Sequence, residues 1–135
     1  MAELTMRPDI DIEEDLHDVV RAYPPLNHDR RNYKFDVKDG VVTLTGHVKG
    51  KPTYEYVLNA VPLVSGVRSF EAARFYNDDD LRLDVGQVVP PGVLVTMEYG
   101  SAILSGHLPE DASIEDVVRA VARVPGVHRV LTSLR

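Results

Sequence analysis

The sequence contains no cysteine, which excludes disulfides, thiolate metal sites and a cysteine nucleophile. Positive charge is in deficit: 15 Lys and Arg stand against 21 Asp and Glu, for a net charge of −6. That balance disfavours nonspecific nucleic-acid binding, which needs a basic face, and docking on anionic lipid by charge alone. No apolar run approaches the ~20 residues of a membrane span. The opening segment MAELTMRPDIDIEEDL has no basic stretch followed by an apolar one, as a secretory leader would. A soluble cytoplasmic protein is therefore expected, or a periplasmic one if a leader preceded this sequence. No general acid–base pair, nucleophile beside a histidine or phosphate-cradling glycine loop occurs. Asp18, Asp84 and Asp116 are scattered with nothing to poise them. Neither an enzyme nor a cofactor is expected.

What is present is a repeat. Residues 40–67 and 100–127 superimpose at a constant offset of 60 without a gap. Gly40, Leu44, Gly46, His47, Glu55, Val57, Ala60, Val61, Val64, Gly66 and Val67 recur as Gly100, Leu104, Gly106, His107, Glu115, Val117, Ala120, Val121, Val124, Gly126 and Val127. One supersecondary unit is used twice. A chain of 135 residues holds one ordinary core or two very small ones, so two units of this size are expected to pack together or to dimerise.

The first unit opens with Ile12, Leu16, Val19, Val20 and Tyr23 on one helical face, and acidic residues in the first turn complement the helix dipole. Pro24-Pro25 stops that helix, and Asn27 to Asn32 reads as irregular. Tyr33 to Lys38 alternates as a half-buried strand. Asp39-Gly40 signals a two-residue hairpin, leading into a return strand through Val42 and Leu44. A second helix spans about Pro52 to Leu63 with Tyr54, Val57, Leu58 and Val61 inward, and a last strand runs Val67–Ala72. The second unit repeats this order. Val93, Val95 and Met97 form a strand, Tyr99-Gly100 the turn, Ala102 to Leu108 the return, and Val127 to Leu134 the closing strand. Ser113 and Asp116 resemble a capping box. Pro90-Pro91 aligns with Pro24-Pro25 at offset 66, which leaves six residues missing and places Asp78–Val89 where the first helix belongs. Leu81, Val85, Val88 and Val89 are helically spaced there, while Leu81, Leu83 and Val85 also alternate; a short helix capped by Asn77 is expected, with an extended arm the other reading. The fold class is α+β, two αββαβ sandwich repeats. Each is a three-stranded mixed sheet with its helices on one face, the first helix of the second repeat being short or degenerate.

A glycine turn followed by V-x-L-x-G-x-V, an amphipathic helix and a terminal V-x-G-V-x-x-V resembles the BON domain. The matching residues are Val37, Gly40, Val42, Leu44, Gly46, Val48, Ala60, Val64, Gly66, Val67 and Phe70. Their counterparts are Met97, Gly100, Ala102, Leu104, Gly106, Leu108, Ala120, Val124, Gly126, Val127 and Val130. The resemblance implies a tandem pair, a first BON domain at 9–72 and a second at 77–135. It also implies a bacterial, stress-related binding module without catalytic residues. Members are associated with phospholipid or other hydrophobic ligands, and cytoplasmic members include a potassium sensor.

Several residues are candidate contacts. Asp78, Asp79 and Asp80 offer oxygens to a hard cation but lack the spacing of a calcium loop; a helix start explains them equally. Arg30 and Arg31, within His28 to Lys34, form the one basic cluster that includes an aromatic, and read otherwise as a surface loop. Tyr56 falls off the apolar stripe and is the better candidate for an exposed contact. His47 and His107 invite a metal or proton switch, yet duplication alone explains the pair, and no metal site is expected. The leading expectation is self-assembly or binding of a protein partner, with strand 67–72 or 127–134 pairing across a subunit boundary. The competing one is phospholipid or another hydrophobic ligand, with potassium or calcium sensing as a variant. Nucleic acid is not expected as a partner.

Overall fold

The computed structural model describes residues 6–135. Helix α1 (Asp9–Arg21) carries Asp9 and Asp11 in its first turn and buries Ile12, Leu16 and Val20, each one turn apart. Pro24 and Pro25 end it and at once begin another helix, α2 (Pro24–His28), followed by a 3-10 turn at Arg30–Asn32. The segment expected to be irregular is therefore helical. Proline suits a first turn, where its missing N–H has no partner to lose, and fully buried Leu26 anchors the short helix.

Strand β1 (Tyr33–Lys38) alternates inward and outward residues and pairs antiparallel with β2 (Val41–Val48), Phe35 opposite Leu44. Between them Asp39 and Gly40 have φ of 51° and 78°, the mirror-image turn that suits the strand twist. Helix α3 (Lys51–Ala60) buries Thr53 and Val57, and a 3-10 turn at Val61–Leu63 buries Val61. Strand β3 (Ser69–Asn77) begins two residues later and ends five residues beyond the expected 67–72. The extra length brings Phe75 into the core, stacked 5.2 Å from Tyr54, and delivers Asn77 as the cap of the next helix. The first sheet has the order β1-β2-β3.

The second unit opens with α4 (Asp78–Gly86), a helix and not an arm. The side-chain oxygen of Asn77 accepts from the N–H of Asp80 at 2.9 Å. Leu81 and Val85 point inward and Leu83 outward, so the helical spacing outcompetes the alternation. Strands β4 (Val93–Glu98) and β5 (Ser101–Gly106) form the second hairpin, with φ of 46° at Tyr99 and 85° at Gly100. Helix α5 (Ile114–Ala122) is capped by Ser113 and leads to β6 (Arg129–Leu134), which runs parallel to β5 in the order β4-β5-β6. Gly46 and Gly106 recur where a side chain has no room: a Cβ would run into the carbonyls of Asn32 and Gly92 respectively.

Each unit encloses its own core. Val42, Leu44, Val57 and Val61 fill the first, and Ala102, Leu104, Val117 and Val121 fill the second, all at the offset of 60. By internal contacts one unit holds the described residues up to Val48 with Pro52–Phe75, the other Lys49–Lys51 with Tyr76–Arg135.

Candidate functional site

The acidic run at the start of α4 belongs to the framework. The Asp78 carboxylate accepts the backbone N–H groups of Tyr99 at 2.7 Å and Gly100 at 3.1 Å. Asp9, at the start of α1, accepts those of Asp39 and Gly40, both at 2.9 Å. In each unit a carboxylate clasps the hairpin turn through two charge-assisted hydrogen bonds. Asp9 and Asp78 lie 69 residues apart and the turns 60, so the second repeat is nine residues shorter between clasp and turn. Six of these nine lie between the prolines and the turn, the deficit that the prolines give, and the other three lie between clasp and prolines, where α1 is longer than α4. Asp80 accepts from the Asn77 amide at 3.0 Å, and Asp79 lies at the surface. Among the described residues no three His, Asp or Glu side chains gather to hold a metal.

Tyr56 is half-buried. Its hydroxyl donates to the Val19 carbonyl at 2.8 Å and its ring lies 4.4 Å from that of Tyr23. The side of α3 that falls off the apolar stripe faces α1, a contact that helical period alone does not reveal.

Arg30 and Arg31 stand exposed in the 3-10 turn, and Arg30 Nη1 donates to the Asn27 carbonyl at 3.0 Å. Arg30 lies at the rim of a cavity of about 590 Å³ in the first unit. Leu16 and Val20 of α1 and Tyr33 and Phe35 of β1 form its apolar floor, while Glu13, His17 and Arg21 line it from α1 at one-turn spacing. Tyr33 and Phe35 meet edge to face, with ring centres 5.8 Å apart. The Tyr33 hydroxyl donates to the Leu26 carbonyl at 3.0 Å. Burial, reinforced by the negative charge of Asp29, pushes its pKa up to about 12.

A second feature lies on the outer face of the second sheet. Leu94 is 64% exposed, Leu131 is 40% exposed, and Ile103 is paired directly with Leu131. Sixty residues earlier the same positions carry Lys34, Thr43 and Glu71. Strand β6 is also an edge. The His128 N–H donates to the Gly100 carbonyl just before β5, so alternation leaves the N–H and C=O groups of Arg129, Leu131 and Ser133 along the outer side. Sequence reasoning missed these apolar residues, although comparing the two repeats position by position exposes them.

The family model of the BON domain matches residues 77–135. That part of the chain is similar to the BON domain. The match covers α4 to β6, so the Asp78 clasp, the turn and the exposed apolar trio all belong to it. No match is found among curated proteins. Among solved structures, the chain superposes on the C-terminal domain of CdsD, the structural protein of the type III secretion system of Chlamydia trachomatis. The TM-score is 0.77 at 11% identity, covering 98% of this chain and 68% of that one. At that identity the likeness is one of fold. A second CdsD structure reaches a TM-score of 0.38 at 15% identity, covering 92% and 91% of the two chains, and adds nothing to the fold assignment. Among the described residues no helix is long and apolar enough to cross a membrane.

Proposed function

We propose that the chain is a tandem pair of BON units, residues 9–72 and 77–135, and acts as a non-catalytic interaction module that self-assembles through the second unit. The duplicated clasp and the matching core positions support the tandem reading, as does the boundary between Phe75 and Tyr76. The similarity to a domain of a secretion-system structural protein agrees with a role in assembly. The observation that carries the proposal is the apolar trio Leu94, Ile103 and Leu131 on a sheet whose β6 edge is open. Apolar residues on an outer sheet face beside unpaired backbone groups favour covering by another chain.

Light scattering after size exclusion tests this over a concentration series. A discrete oligomer is expected, and Leu131→Lys returns it to the 15.0 kDa monomer. Leu131 is exposed, so the substitution leaves the fold intact. A monomer at every concentration removes self-assembly, and a foreign protein partner then becomes the object of search.

A further inference from the structure

We infer that the cavity of the first unit is a binding site for a small organic carboxylate with an apolar body, taken up one molecule at a time. The two units share clasp, hairpin, helix and closing strand, and the second completes its core without the nine residues that the first has in addition. The difference falls in the last turn of α1 and in the segment that holds α2 and the 3-10 turn, which bring Arg21, Asn27 and Arg30 to the cavity. At the corresponding place in the second unit, between α4, Pro90-Pro91 and β4, lies a more open groove of about 610 Å³ with Arg82 its one charged residue. What the insertion adds to the first unit is enclosure and the side chains of Asn27 and Arg30 at the cavity.

Its chemistry selects the ligand. A volume of about 590 Å³ lies within the range of small-molecule sites. Leu16, Val20, Tyr33 and Phe35 offer an apolar floor. Tyr33 contributes its ring only, because its hydroxyl is turned to Leu26. Charge is graded along α1, with Glu13 two turns before Arg21. Arg21 lies in the helix's last turn and Arg30 in the segment that follows, both at the cavity. The bond to the Asn27 carbonyl holds the Arg30 guanidinium at the rim, and a guanidinium has five donors, so one such bond leaves most of them for an anion. Arg21 pairs with Asp18, but both are well exposed, and such pairs exchange readily for a better partner. A carboxylate held by the arginines, with its apolar body on the floor, satisfies both halves of the site.

The test is an NMR titration of the full chain with phenylbutyrate, against the uncharged phenylbutanol, with phosphatidylglycerol vesicles in parallel. Saturable, single-site shifts at Leu16, Val20, Tyr33 and Phe35 are expected with the acid. The alcohol should bind about tenfold more weakly, for want of the charge-assisted hydrogen bond. Arg30→Glu should weaken the acid by about tenfold or more at unchanged melting temperature, and Glu13→Gln should tighten it. Absence of saturable shifts, shifts elsewhere, equal binding of the alcohol or indifference to Arg30→Glu would each overturn the inference. Looser binding in Glu13→Gln would overturn the anionic assignment. Binding to vesicles but not to the monomeric acid would replace the cavity with a membrane surface.

Discussion

Tyr33 joins the cavity floor to the packing behind it, and its hydroxyl gives the protein an alkaline limit. In the folded chain the proton is held up to about 12, whereas an unfolded tyrosine releases it near 10.0. The native state therefore binds more protons between those values, so this contribution is complete below pH 10.0 and is lost as pH rises to about 12. Tyr33→Phe should cost about 1 kcal/mol at neutral pH, through the lost bond to Leu26. It should also flatten the decline above pH 10.0. Urea midpoints of both proteins at neutral and alkaline pH measure this, and parallel declines would show that the hydroxyl is not the titrating group. The raised value has no local signature, because it depends on Asp29 and on packing around β1. Tyr56 teaches the same lesson: its place off the apolar stripe was legible, but the α1 surface that covers it was not.

The elements owe their boundaries to short-range chemistry. Asp39-Gly40 and Tyr99-Gly100 form the turns their positions announce, and Asn77 and Ser113 cap the helices they precede. At α4, the apolar spacing admitted both helix and strand; the Asn77 cap and the Asp78 clasp select the helix. Asp78→Ala should destabilise the protein by about 1.5–3 kcal/mol, the range for a buried carboxylate accepting two backbone donors. Asp9→Ala should cost less, because Asp9 is only half-buried. Urea denaturation ranks the two, and the reverse order would show that the clasps are not equivalent devices. The prolines at 24 and 25 mark the opposite case. Their power to end a helix was legible, but their role in starting α2 depends on Leu26 finding a buried seat.

At the scale of the molecule there are two cores built on one plan. Leu44→Ala and Leu104→Ala remove equivalent, fully buried side chains, and each should cost about 2–5 kcal/mol. Amide exchange should rise in β1 and β2 for the first and in β4 to β6 for the second. Unchanged protection in the strands around the altered residue would contradict the packing described. The repeat, the order of the elements common to both units and the core positions they share were determined by the sequence itself, because turn chemistry, capping and apolar period act over a few residues. The cavity and the apolar sheet face were decided only by the tertiary structure. Glu13 and Phe35 line one cavity from α1 and β1, and Leu94, Ile103 and Leu131 share one face across three strands. Neighbours brought together by chain folding leave no periodic trace, since what one side chain presents there depends on which distant backbone stands beside it.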